Sequence, residues 1–381
     1  MKAAIVGCGW MGQAAAYGMM KLGYEVVGFD PNAPAVEAFN KKFEDLAITP
    51  PATYLGGFPS LIQANYPDGS EKSPDFDVVI SAAPFKANLL IGKICVDYGI
   101  RYCDLGGNPD VSKEIQDYAL EKQTVPVFTD LGLAPGYVNM LAEQIADENK
   151  DDLLSIKLYC GGLPQNVGRS RLNYNLVFSV GGLINEYTGK CRFLFNGEEH
   201  TADAMSGREA HGMKYESFYT RGGISYTLDS MKERGVKNCY YKTLRYTGHH
   251  DYMTFLMDDC GLTDTDLLKQ VIERACPPTK MDLVHIMIRY ATKRQVYVGT
   301  ETKVLTTIKA TEDWTAMQMG TSFPTVAVAA MMAEGCLDDK IVATYADIDV
   351  AECQEKLYRI EPSVNWKLLP AKELPWPSSQ F

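Results

Sequence analysis

The feature that most constrains this chain is Gly7-Cys8-Gly9-Trp10-Met11-Gly12, which follows an apolar stretch at residues 2–6 without a gap and opens a helical pattern ending near Gly23. Glycine spacing of this kind is weak by itself and becomes informative when a strand precedes it and a helix follows. Gly7 permits the tight turn, Gly9 lets a pyrophosphate approach the backbone, and Gly12 lets helix and strand pack closely. The diphosphate then lies against the N–H groups of the helix N-terminus, beside Trp10 and Met11. Residues 25–29 read as a second buried strand ending at Asp30, 18 positions after Gly12. A carboxylate there accepts hydrogen bonds from both ribose hydroxyls and repels a 2′-phosphate, so the expected cofactor is NAD rather than NADP.

The same rhythm continues. A helix is expected over 33–43, an irregular excursion over 50–76, where five prolines fall, and a buried strand over 77–81. A helix through residue 96, a strand over 101–104, a helix over 111–122 and a strand over 125–130 follow. Strands alternating with helices at this spacing predict an α/β fold with a parallel, doubly wound sheet of the Rossmann type. Beyond Tyr137 the pattern becomes strand-rich, with strands expected at 155–159, 237–246 and 295–310 and a helix over 264–273. The expected organisation is a dinucleotide-binding domain over 1–137, a substrate and dimerisation domain over 138–310, a segment over 311–360 returning to the first domain, and an extended tail over 361–381.

Composition narrows the function. The 381 residues carry 37 Lys and Arg against 48 Asp and Glu, a formal charge of -11. Such a surface repels phosphate backbones and anionic lipid, which argues against nucleic acid or membrane partners. The longest apolar run, 323–333, is shorter than the ~20 residues of a bilayer-spanning helix. Ten cysteines without a Cys-x-x-Cys pair read as reduced thiols and predict a reducing, cytoplasmic compartment. Cys103 reads as a packed strand thiol.

Ligands of doubly wound sheets bind at the C-terminal strand ends. Those ends carry Ser81-Ala82-Ala83-Pro84, Asp104-Leu105-Gly106-Gly107-Asn108 and Asp130-Leu131-Gly132, which are expected to line the nicotinamide ribose and the reacting centre. For Asp104 and Asp130 the competing reading is turn or cap chemistry. In the second domain, Arg245 is placed to clamp a carboxylate and His249 to act as a base near neutral pH. Adjacent His249 and His250 point oppositely if they lie in a strand, and the other His and Cys lack ligand spacing, so no metal is expected.

These residues resemble the saccharopine dehydrogenase family, most closely its lysine 6-dehydrogenase-like branch. The resemblance rests on the glycine fingerprint, residues 102–108, Asp130-Leu131-Gly132-Leu133-Ala134-Pro135-Gly136, Gly161-Gly162-Leu163-Pro164, Leu172-Asn173-Tyr174 through Glu186-Tyr187-Thr188-Gly189, residues 243–249 and Thr315-Ala316-Met317-Gln318. It implies a Rossmann domain with an inserted mixed-sheet domain, a homodimer, and NAD(P)-dependent oxidation of an amino acid C–N bond or the reverse reduction. L-Lysine is the implied substrate. Ser81 to Phe85 and Asp104 to Asn108 would line the cleft, Asp104 would grip the amine, His249 or Glu186 would take its proton, and Arg245 with Tyr174 would hold the distal carboxylate. Asn173 stands where saccharopine-cleaving members tend to carry Arg, which favours the smaller substrate. Saccharopine or a related opine is the alternative, left open by Arg169, Arg171 and Arg221; a non-catalytic NAD-binding sensor is the alternative of another class.

Overall fold

Short β-branched runs that are apolar at every position can only be accommodated between two layers of helices. In the computed structural model, which describes residues 1–58, 60, 75–167, 170–262 and 265–370, these runs form a six-stranded parallel sheet in the order β3-β2-β1-β4-β5-β6. Its elements are β1 (Lys2–Val6), α1 (Trp10–Lys21), β2 (Glu25–Asp30), α2 (Ala33–Asp45), β3 (Ala52–Leu55), β4 (Val78–Ser81), α3 (Phe85–Asp97), β5 (Arg101–Asp104), α4 (Pro109–Lys122) and β6 (Val127–Phe128). Ala4, Val27, Val79 and Tyr102 from neighbouring strands share one core with Ile91, Ile94 and Ile115 from α3 and α4. Two expectations needed correction. The excursion contains a strand, β3, which pairs in parallel with β2 from Val27↔Ala52 to Asp30↔Leu55; its flanking prolines and exposed edge position disguised it. The strand expected over 125–130 shrinks to two residues, because the chain turns at Asp130 with φ +61°. Residues 59 and 61–74 lie outside the described residues.

The chain divides into two units, the first comprising Met1–Tyr137 and Gln318–Ser363, the second Val138–Met317 and the segment from Val364 on. Helix α5 (Tyr137–Asn149) leads into the second unit. There β7 (Leu153–Pro164), α6 (Val180–Glu186), β8 (Lys190–Phe195), β9 (Glu198–Asp203), β10 (Glu209–His211), β11 (Tyr215–Tyr219), α7 (Thr227–Glu233), β12 (Asn238–Tyr246), α8 (His249–Thr254), α9 (Thr265–Ala275), β13 (Asp282–Thr292), α10 (Lys293–Tyr297) and β14 (Thr302–Lys309) follow. With β15 (Leu369–Pro370) they give a mixed nine-stranded sheet in which β12 and β7 run parallel and the other pairs antiparallel. The long central strand β13 was not anticipated, since His285 and Arg289 interrupt its apolar pattern. The strand expected over 295–310 is instead α10 followed by β14. Thr292 and Gln295 form a reciprocal capping box that starts a helix there. Position 264 and the tail beyond 370 lie outside the described residues.

Helix α11 (Ala316–Ala333) and α12 (Val350–Ile360) complete the first unit. A Cβ on Gly18 would lie 3.0 Å from Val326, so α1 and α11 meet closely at that glycine. No helix among the described residues is long and apolar enough to cross a membrane.

Candidate functional site

Each unit presents one assembly of the expected residues. In the first unit the three fingerprint glycines separate by cause. A Cβ on Gly7, which has φ +101°, would sit 2.8 Å from the Ala82 carbonyl, and one on Gly12 would sit 1.8 Å from the Gly7 carbonyl oxygen. Both glycines are therefore demanded by the protein's own packing. Gly9 is different: a Cβ there meets nothing within 4 Å, and its φ of -70° suits any residue. The space above Gly9, at the head of α1 and free of acidic residues in the first helical turn, fits a dinucleotide pyrophosphate. Gln318 Nε2 donates to the Trp10 carbonyl at 2.8 Å and Ser322 Oγ to that of Met11 at 3.0 Å, which braces the turn. Asp30 is fixed beside it, accepting from the Cys8 N–H and the Asn32 N–H, both at 2.8 Å. Burial and the Asp30 charge push the Cys8 thiol up to about 12, so it carries no thiolate chemistry.

The ends of β4, β5 and β6 are more structural than the sequence suggested. Ser81 is buried and donates to Asn88 Oδ1 at 2.8 Å. Ala82 and Ala83 stay partly exposed, Pro84 precedes α3, and Phe85 opens it, lying 3.4 Å from where a Gly107 Cβ would be. Gly106 and Gly107 are left-handed, at φ +79° and +119°. Asn108 caps α4, accepting from the N–H groups of Asp110 at 2.9 Å and Val111 at 3.3 Å.

Asp104 is 1% exposed. Its carboxylate accepts from Gly106 N–H at 2.7 Å, Asp130 N–H at 3.1 Å and Tyr102 Oη at 2.9 Å. Burial and the neighbouring Asp130 charge push it up to about 7, against the pull of those hydrogen bonds. Asp130 in turn accepts from Ser112 Oγ at 2.7 Å, its carbonyl accepts from Tyr345 Oη at 2.7 Å, and buried Leu131 donates to the Asp104 carbonyl at 2.8 Å. Asp104 thus ties the β5 turn to the end of β6. Three of the carboxylate's four lone-pair positions are thereby taken by local donors, with which the expected grip on a substrate amine would compete.

In the second unit, Tyr174, Glu186 with Tyr187, and Leu244 converge on Arg245, which is 1% exposed near the end of β12. Its Nε donates to Tyr187 Oη at 2.7 Å, one terminal nitrogen to the Leu244 carbonyl at 2.9 Å and the other to Glu186 Oε2 at 3.3 Å. The guanidinium lies 5.1 Å from the Tyr174 ring centroid and 5.7 Å from that of Tyr187. Burial opposes its charge, but Tyr187, Tyr174 and Glu186 more than offset that and keep it protonated. Glu186 closes α6, and its side chain is 30% exposed. Burial pushes its carboxyl up to about 7, against the attraction of Arg245. The Tyr174 hydroxyl is buried with no partner among the described residues. Two of the five Arg245 N–H groups likewise make no hydrogen bond there. Unsatisfied buried donors beside a fixed cation suit an incoming carboxylate.

Two expected roles change. His249 begins α8 just beyond the end of β12, after Gly248 with φ +95°. It is 1% exposed, and burial with the Arg245 charge brings its imidazole down to about 3. A ring so held is neutral near pH 7 and only weakly basic, which speaks against the expected role as base. Asn173, at φ +49°, uses Nδ2 to donate to the Thr247 carbonyl at 2.9 Å, fixing a loop. Sequence reasoning missed Tyr187 and Tyr102 as site residues; the only signal for Tyr187 was its place beside Glu186 in the run that carried the resemblance. Arg169 lies outside the described residues, and the Arg221 N–H donates to the Glu186 carbonyl at 2.9 Å.

Comparison with known proteins follows these geometries. Residues 132–359 match the saccharopine dehydrogenase C-terminal domain family. The chain is 29% identical over 223 residues to mitochondrial alpha-aminoadipic semialdehyde synthase of Bos taurus, covering 55% of this chain and 23% of that protein. The Rattus norvegicus counterpart is 29% identical over 126 residues, covering 32% of this chain and 14% of that protein. The chain therefore spans less than a quarter of the length of these curated relatives. Apo saccharopine dehydrogenase (L-Glu forming) from Saccharomyces cerevisiae superposes with a TM-score of 0.70 at 15% identity, covering 94% of this chain and 96% of that one, and so shares its fold. With more than half of its length matched, from the Gly132 turn through α12, this chain belongs to the saccharopine dehydrogenase C-terminal domain family.

Proposed function

We propose that this protein is an NAD-dependent oxidoreductase that oxidises the C–N bond of an amino acid, with L-lysine converted at its side-chain amine to the semialdehyde and ammonia. The observation that carries the reading is the buried Arg245 fork, held against a Glu186 carboxyl poised at about 7 and an unpartnered Tyr174 hydroxyl. Gly7, Gly9, Gly12 and Asp30 would hold the dinucleotide. When bound, its nicotinamide supplies the hydride acceptor.

Arg245 and Tyr174 would take the substrate carboxylate, satisfying the open N–H groups and the hydroxyl. An alkylammonium cannot release hydride while a proton occupies its nitrogen lone pair. Glu186, whose carboxyl is pushed up to about 7, would be the group that removes that proton. Water then hydrolyses the resulting imine. Asn173 offers no cation for a second carboxylate, which supports lysine over saccharopine.

The test is NADH formation by the purified protein with NAD at mildly alkaline pH, with L-lysine and saccharopine as separate substrates and NADP as the alternative cofactor. A rate with lysine and NAD supports the proposal. Turnover of saccharopine alone would move the substrate to the opine. NADH binding without turnover of either would leave a dinucleotide-binding sensor.

A further inference from the structure

The proton positions around His249 can be deduced from chemistry alone. A carbonyl oxygen only accepts hydrogen bonds, so the 2.7 Å contact between His249 Nδ1 and the Leu172 carbonyl requires the proton on Nδ1. In the neutral ring Nε2 then bears a lone pair. The Tyr187 hydroxyl, 2.9 Å from Nε2, must donate to it. That leaves the Tyr187 oxygen as acceptor for the Arg245 Nε–H at 2.7 Å. Every link in this chain is buried, with Leu172 6%, Tyr187 2%, Arg245 1% and His249 1% exposed. Tyr174 and Tyr187 also meet the imidazole edge-on, at interplanar angles of 60° and 69°, and so fix its plane.

We infer that Tyr187 and His249 are positioning residues for Arg245, joined in a one-way chain of hydrogen bonds that consumes the Nε–H of the guanidinium and leaves, beside the N–H groups given to Leu244 and Glu186, one N–H on each terminal nitrogen for an incoming carboxylate. The inference rests on the reading of Arg245 as the group that holds the substrate carboxylate. A proton on Nε2 would break the chain at Tyr187, which would then accept from both Arg245 and His249 and leave its own hydroxyl proton without that acceptor. The charged or titratable groups facing the ring are Arg245 and His250, both of which oppose its protonation, together with the neutral phenols Tyr187 and Tyr174.

Tyr187→Phe, His249→Leu and His249→Gln test the chain. The phenylalanine variant removes the hydroxyl, the leucine variant removes the acceptor, and glutamine restores an acceptor near the Nε2 position. Tyr187→Phe and His249→Leu are expected to raise KM for the amino acid about tenfold or more with a smaller fall in kcat, and His249→Gln to recover most of that loss. The pH limb of the rate is expected to stay where it is in all three. A loss confined to kcat, or displacement of the limb in His249→Gln, would overturn the inference.

Imidazole nitrogen NMR shifts of the wild-type protein supply a readout that needs no turnover. The inference requires the neutral Nδ1–H tautomer from about pH 5 to about pH 8, and an Arg245 Nε–H signal that moves in Tyr187→Phe. An Nε2–H tautomer or a charged ring would overturn it. Should His249→Leu fail to fold, Tyr187→Phe and His249→Gln still decide the question. Absence of wild-type turnover with any amino acid would fall on the proposed function, while the NMR tautomer would still judge the chain.

Discussion

Asp104 illustrates how a buried carboxyl can be located in sequence while its local partners stay hidden. Its position at the end of β5, before a double glycine, marked it correctly as belonging to the mouth of the sheet. What the sequence cannot show is that Gly106, Asp130 and Tyr102 all donate to it. Its folded value is raised to about 7 from 3.8. Between those values the folded state holds the extra proton, so this group's contribution to stability falls as pH rises from about 4 to about 7. Asn at 104 keeps one acceptor for the two backbone N–H groups and can donate to Tyr102. Asp104→Asn is therefore expected to remove a pH-dependent destabilisation on the order of 2–4 kcal/mol, read as a flatter stability profile in denaturant titrations from pH 4 to pH 8. It is also expected to keep turnover within about tenfold of wild type, whereas a residue gripping the amine would lose far more. His249 has the opposite sign. Its value is depressed, so the stability it contributes is complete above its unfolded value near 6.5 and is lost as pH falls through that value towards about 3.

The element that the sequence states most plainly is the β1–turn–α1 unit, because all its determinants lie within residues 2–30. Within it the glycines make separable predictions. Gly12→Ala forces a methyl to within 1.8 Å of the Gly7 carbonyl oxygen, and is expected to lower stability by about 3 kcal/mol, measured by thermal or denaturant unfolding. Gly9→Ala meets no protein atom within 4 Å; it should leave stability within about 0.5 kcal/mol. It should nonetheless weaken NADH affinity about tenfold or more in a fluorescence titration, because the methyl fills space the diphosphate needs. Equal effects of the two variants on stability would contradict the assignment of that space. The elements of the second unit were far less legible. β13 carries His285 and Arg289 among its apolar residues, and its place in the interior of the sheet depends on pairing with β7, distant in sequence.

At the scale of the whole molecule, the fold class and the boundary near residue 137 follow from alternation, a local property that one pass along the chain can read. The substrate cluster does not, since the pairs Leu172 with Tyr174, Glu186 with Tyr187 and Arg245 with His249 come from three separate stretches. Residue type flagged Arg245 and Glu186. Burial then separates His249 and Glu186, the two candidates for proton acceptor, taking the imidazole down to about 3 and the carboxyl up to about 7. The central claim is therefore that Glu186 is the proton acceptor beside an anion-holding Arg245. The most direct test is the pH dependence of kcat/KM for L-lysine oxidation in the wild type and in Glu186→Gln, which keeps an acceptor for Arg245 but cannot take a proton. The account predicts a wild-type rate that falls on the acid side of about pH 7, and a variant slower by about a hundredfold or more in which that limb is gone. A variant that turns over at close to the wild-type rate, or that retains the limb unshifted, would contradict it.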